Sequence, residues 1–117
     1  MKHHKNLRKF GRDKDERKAF LNSLVINLLR HDKIKTTLAR AKEIKSFVER
    51  LITLAKVDNQ ARRKLVASRI INQEVETKKI FEILAPKYKN VPGGYTRVIK
   101  LGQRISDSAP MAVIEFV

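Results

Sequence analysis

The chain has 117 residues, 27 Lys and Arg against 12 Asp and Glu, a formal net charge of +15, and no cysteine. The lack of cysteine excludes disulfides, thiolate catalysis and the usual zinc frameworks, and no stretch approaches the run of about 20 apolar residues that a membrane-spanning helix needs. A cationic excess of this size attracts a polyanion, so nucleic acid is the expected partner of a soluble, unexported protein with no membrane insertion.

The first segment, residues 1–12, carries Lys2, Lys5, Arg8, Lys9 and Arg12, adds His3 and His4, and holds no acidic residue. Without apolar periodicity it cannot bury enough surface to offset the entropy of ordering, so it reads as a basic arm that stays disordered until a polyanion neutralises it. Residues 13–117 suffice for one hydrophobic core and hence one globular domain.

The domain opens at Asp13, an N-cap with Glu16 placed three residues on for a capping box. Phe20, Leu21, Leu24, Val25, Leu28 and Leu29 recur at spacings of three and four, which predicts a central core helix. Arg30, His31 and Lys33 close it, where cations favour the negative end of the helix dipole and also suit phosphate. For His31 a helix-terminal surface role is the simpler reading.

Ile34, Thr36 and Leu38 alternate with Lys35 and Thr37, which predicts a short strand. Thr36 or Thr37 then caps a second helix reaching about Lys56, with Ala41, Ile44, Val48, Leu51, Ile52 and Ala55 on its buried stripe and Arg40, Lys42, Lys45 and Arg50 opposite. Asp58 and Asn59 cap a third, shorter helix through Ala61, Leu65 and Ser68 to Arg69, rich in cations and poor in apolar anchors. A fourth carries Glu74 and Glu76 in its first turn and Val75, Ile80, Ile83 and Leu84 on its buried side, and Pro86 stops it. Its acidic start suits a position away from phosphate.

A loop mixing Lys87, Tyr88 and Lys89 ends in Gly93 and Gly94, and is followed by strands over 95–101 and 111–117. Those two pair antiparallel and, with the strand after the first helix, form a small three-stranded sheet. The expected fold is therefore α+β, four helices packed on one face of that sheet, with Lys35, Arg97 or Lys100 on the other according to register.

No nucleophile with a base, no phosphate-cradling loop and no cofactor motif has the spacing its chemistry requires, so no enzyme, cofactor or small-molecule substrate is expected. Met1-Lys2-His3 with a free amino terminus could hold a square-planar cupric or nickel ion, but the basic arm already explains both histidines, and no metal site is assigned.

Leu29-Arg30-His31, Ile34-Lys35-Thr36-Thr37-Leu38, Ala41-Lys42-Glu43 and Leu51-Ile52-Thr53-Leu54-Ala55-Lys56 closely resemble the bacterial-type ribosomal protein seventeen of the large subunit. So do Gly93-Gly94-Tyr95-Thr96-Arg97, Lys100-Leu101-Gly102, Arg104, Ala109-Pro110-Met111-Ala112 and Ile114-Glu115. His4, residues 6–10 and the stretch 58–90 match that family more loosely. The resemblance implies a structural constituent of the large ribosomal subunit, cytoplasmic or organellar. Such a protein binds large-subunit rRNA near the peptide exit tunnel, beside neighbouring large-subunit proteins, and supports assembly and translation. A free-standing DNA-binding or DNA-compacting protein is the competing class, and it would dimerise and prefer duplex DNA.

Three rRNA contacts follow. The arm supplies Lys2, His3, His4, Lys5, Arg8, Lys9 and Arg12, whose five Lys and Arg predict a log–log salt slope of roughly four. The second contact is Arg30, His31, Lys35, Thr36, Thr37, Arg40 and Lys42, where hydroxyls and helix N-terminal N–H groups add to the cations. The third is Gly93, Gly94, Tyr95, Thr96 and Arg97: glycines let the backbone approach phosphate, Arg97 binds it in bidentate fashion, and Tyr95 either stacks on a base or fills core.

Overall fold

The computed structural model describes residues 14–117; the expected arm and its contacts, and the Asp13 cap, lie outside the described residues. The first helix, α1 (Lys14–His31), has Asp15 and Glu16 in its first turn and Arg30 and His31 in its last, the charge order that complements the helix dipole. Val25, Leu28 and Leu29 are buried, and Leu21 and Leu24 pack partly covered beside them. The helix ends because Asp32 adopts a left-handed φ of 65° and donates its N–H to the Leu28 carbonyl at 2.8 Å.

Strand β1 (Lys33–Thr37) leads directly into helix α2 (Leu38–Ala55). Leu38, expected at the end of the strand, is instead the first helical residue. Thr37 keeps an extended backbone while its hydroxyl accepts the Arg40 N–H at 3.4 Å, and that cap fixes the boundary one residue earlier than alternation suggests. The six positions of the α2 stripe, Ala41, Ile44, Val48, Leu51, Ile52 and Ala55, are all at most 2% exposed and form the centre of the core. Burying each of the four larger ones contributes about 1.5–3 kcal/mol.

Helix α3 (Gln60–Arg69) starts where Asn59 caps the Arg62 N–H at 2.8 Å. Its anchor is not Ala61 or Leu65, which are exposed, but Val66, followed by the buried Ile70. Successive left-handed residues Ile71 and Asn72 then reverse the chain. Helix α4 (Glu74–Lys79) passes without a break into a π-helical turn (Ile80–Leu84) and a last α turn (Ala85–Lys87).

Two expectations fail along this continuous helix, α4 together with the two turns that extend it. Val75 and Ile83 are 74% and 58% exposed, and the buried set is Glu76, Thr77, Ile80, Phe81, Leu84, Ala85 and Tyr88. These recur at intervals of four, longer than the 3.6-residue α-helical period, and the wider π turn is what keeps them on one side. Nor does Pro86 stop the helix. It stands in the first turn of the last α segment, where a missing N–H is least costly, and the Tyr88 N–H still reaches the Leu84 carbonyl at 3.1 Å.

Strands β2 (Thr96–Gln103) and β3 (Pro110–Phe116) complete an antiparallel sheet of order β1-β3-β2. Tyr95 precedes β2 rather than opening it, and Val117 follows β3. Ala112 and Ile114 are buried against the helices, opposite Thr36 and Ile34 on β1, and Ile114 is opposite Val98 on β2. Helix α2 thus packs on all three strands of the sheet, whereas α3 and α4 pack chiefly on α2, α1 and each other, so the helices form a layer on one side of the sheet without each covering it. The register settles which cations leave the other face. Lys35 pairs with Val113 and Arg97 with Glu115, both pointing away from the helices, whereas Lys100 pairs with Ala112 on the helix side and is exposed only because the strand overruns them. A bulge at Leu101, with Gly102 at φ 102°, marks that overrun.

Candidate nucleic-acid interface

The stretch from Arg30 to Lys42 does not form one surface. Strand β1 separates its cations into two groups about 13 Å apart, the length of five extended residues. At the α1 end stand Arg30, His31 and Lys33. Here the Phe116 N–H meets the Asp32 carbonyl at 3.2 Å, and Glu115 lies in register between Lys33 and Arg97, so Arg97 joins this group rather than forming a separate contact with the glycine loop. At the α2 end stand Thr37, Arg40 and Lys42. The Arg40 guanidinium lies 4.5 Å from the centroid of the Phe20 ring, which sets the second turn of α1 beside the start of α2. Lys35 sits midway, on the outer sheet face.

These side chains differ in what they have left to offer. Arg30 donates to the buried Glu76 at 3.0 Å, and Arg97 donates to Glu115 at 2.6–2.7 Å while 58% exposed. A phosphate must compete with a carboxylate at both. His31, Lys33, Lys35 and Lys42 are exposed and have no ionic partner among the described residues. Lys33, which the sequence marks as a cation suited to phosphate but which is not among the expected contact residues, is thus as available as His31. The α3 cations divide similarly. Arg62 donates to the Leu54 carbonyl at 3.1 Å, and Arg63 holds Asp58 at 2.7 Å and packs on Phe81 at 4.9 Å, which leaves Lys64 and Arg69 exposed.

The glycine loop is accessible at Gly93 and Gly94, and Gly94 takes a φ of 67° that an L side chain rarely adopts. Beyond the glycines the expected contact stops. Tyr95 is 1% exposed, its hydroxyl is 3.0 Å from the Thr53 hydroxyl, its ring tilts at 43° on Tyr88 with centroids 5.1 Å apart, and the Lys56 ammonium lies over it at 4.8 Å. It fills core and does not present a face for base stacking. Burial raises the Tyr95 phenol, but hydrogen bonding from Lys56 and Thr53 and the Lys56 charge outweigh it and hold the phenol below its usual value. Thr96 is 3% exposed and spends both its N–H and its hydroxyl on one Glu49 oxygen, at 3.0 and 2.8 Å. Thr36 is also buried, on the helix side of the sheet. Of the two hydroxyls expected to hold phosphate, those of Thr36 and Thr37, only that of Thr37 lies at an accessible position, and it already caps α2.

Among the described residues no group of three or more His, Cys, Asp and Glu is placed to hold a metal ion, and no helix is long and apolar enough to cross a membrane. The folded body carries exposed cations at both ends of β1 and, apart from these, on α3, an arrangement suited to phosphates on separate segments of a polyanion.

Residues 20–117 match the family model described as ribosomal protein L17. The chain is 47% identical over 118 residues to the large ribosomal subunit protein bL17 of Syntrophotalea carbinolica, covering all of this chain and 75% of that protein. It is 44% identical to the protein of the same name from Thermomicrobium roseum, covering all of this chain and 99% of the relative. With that of Sphingopyxis alaskensis it shares 45% identity over all of this chain and 84% of the relative. A family match over residues 20–117 and relatives at 44–47% identity across the whole chain show that it belongs to the ribosomal protein L17 family.

Proposed function

We propose that this protein is a structural, non-enzymatic constituent of the large ribosomal subunit that binds large-subunit rRNA near the peptide exit tunnel. The observation that carries this is end-to-end similarity, at 44–47% identity, to proteins named for that subunit. The physical basis agrees with it. A net charge of +15 on 117 residues gives affinity for phosphate through counterion release, with no base-reading groove helix required. Its compartment is that of the ribosome, the cytoplasm for bacterial relatives, and its partners are rRNA and neighbouring large-subunit proteins.

In this reading the rRNA is held at three places. The arm over 1–12 binds with Lys2, His3, His4, Lys5, Arg8, Lys9 and Arg12. The α1 end of β1 binds with Arg30, His31 and Arg97, and Gly93 and Gly94 offer nearby backbone. The α2 end binds with Arg40 and Lys42, and the first N–H groups of α2 add favourable dipole. Co-sedimentation of the protein with large subunits in its native cell is the direct test. Sedimentation as a free protein, or preference for duplex DNA over rRNA, overturns it. Deleting residues 1–12 should leave the fold of the body intact and weaken incorporation into the subunit; unchanged incorporation removes the arm from the mechanism.

A further inference from the structure

The outer face of the sheet has a composition that phosphate binding does not explain. Lys35, Val113 and Ile99 form one row across it by register, and Met111 follows toward the hairpin. Ile99 is 43% exposed, Leu101 49%, and Ile105, at the hairpin tip, is wholly exposed. Leu101, Met111 and Ile105 share a concavity of about 490 Å³ with Lys35 and Arg104. Arg104 is occupied, held on Asp107 through two hydrogen bonds of 2.9 and 2.8 Å, so Lys35 is the one cation of the concavity with no ionic partner among the described residues.

We propose that this face takes a polypeptide segment of a neighbouring large-subunit protein, one that places an aliphatic side chain in the concavity and a carboxylate on Lys35. The inference rests on the chain being a large-subunit component, and it removes Lys35 from the rRNA-binding set. Aliphatic side chains gain little from a phosphate-sugar backbone, which would itself lose hydration against them, whereas burying them under protein recovers about 25 cal/mol per Å². A lone ammonium beside these aliphatic groups, in a concavity that Gln103 and Ser106 also line, adds charge complementarity and fixes the position of an acidic segment. A second copy of this chain fits poorly, since each copy brings a net charge of +15.

The natural absence of cysteine allows the test. Leu101→Cys and Ile105→Cys variants, labelled with a benzophenone maleimide, are incorporated into large subunits, and the subunits are salt-washed and irradiated; Lys42→Cys serves as the rRNA-facing control. Both substituted positions are well exposed, and circular dichroism verifies the fold of each variant. Expected are crosslinks from 101 and 105 to one stoichiometric ribosomal polypeptide and from 42 to rRNA. Lys35→Glu should lower the yield at position 101 by about five- to tenfold, while Lys35→Arg retains it. Crosslinks from 101 and 105 to rRNA, to a second copy of the chain, or to nothing in subunits that carry the protein each overturn the proposal, as does a Lys35→Glu yield equal to wild type. Failure of the unmodified chain to enter large subunits is a separate result, which overturns the ribosomal reading itself.

Discussion

Replacing Tyr95 by alanine should destabilise the protein severely, for a reason that separates core packing from base recognition. The side chain is 1% exposed and packs on Tyr88, so removing its ring leaves a cavity between α2, the end of the Ala85–Lys87 turn and the start of β2. Large-to-small substitutions of buried aromatics cost about 3–5 kcal/mol, a large part of the roughly 5–15 kcal/mol that stabilises a domain of this size. Tyr95→Phe removes only the hydroxyl, with its 3.0 Å contact to Thr53 and its interaction with the Lys56 ammonium. Thr53 is exposed and its hydroxyl can turn to water, so the phenylalanine variant should lose only about 0.5–1 kcal/mol. Urea unfolding of the purified protein, followed by circular dichroism, reads both values as a fall in the midpoint at constant slope. A base-stacking role demands a different pattern, with stability held in both variants and rRNA affinity lost in Tyr95→Ala. A change of less than about 1 kcal/mol for Tyr95→Ala would refute the packing account.

Thr37→Ala removes the α2 cap, whose 3.4 Å bond is long, and should cost about 0.5–1 kcal/mol in the same unfolding assay; no loss would show that the cap is satisfied by solvent. Lys42→Gln should weaken binding to an rRNA fragment across sequences and reduce the magnitude of the log–log salt slope by about 1, with folding stability unchanged. An unaltered slope places Lys42 away from phosphate. The hairpin tip should respond to acid. The Arg104 guanidinium and the Ala109 N–H hold the Asp107 carboxyl at about 2, below its ordinary 3.8. A depressed carboxylate stabilises the fold above the unfolded value and loses that contribution as pH falls through the folded one, so the tip should loosen between about pH 4 and pH 2. Nuclear magnetic resonance titration of Asp107 measures this, and a midpoint near 3.8 would mean the pair does not persist in solution.

Local chemistry carried much of this fold into the sequence. The α2 stripe was legible because one helix packed on a sheet buries one face, and a strict three-and-four spacing over 18 residues has few other solutions. The caps at Thr37 and Asn59 were legible because a side-chain oxygen two or three residues before an N–H acts over a distance the chain itself sets. The polyanion preference was legible from charge alone. On α4 local pattern misled: Val75 and Ile83 are apolar, yet a π turn rotates the helix so that the Glu76 side of it meets the core. Glu76 faces inward because Arg30, 46 residues earlier, is there to receive it.

The site divides in the same way. Composition and motif order determined by themselves that the protein is a basic α+β member of the ribosomal protein L17 family and which residue types bear the charge. Only the tertiary structure decided which of those side chains remain available. Tyr95, Thr96 and Thr36 are claimed by the core, the cations of residues 30–42 divide between the two ends of β1, and Arg97 comes to lie across Glu115 from Lys33. Availability depends on strand register and on partners distant in sequence. A charge declares its sign locally, but its neighbours are set by how the chain closes on itself.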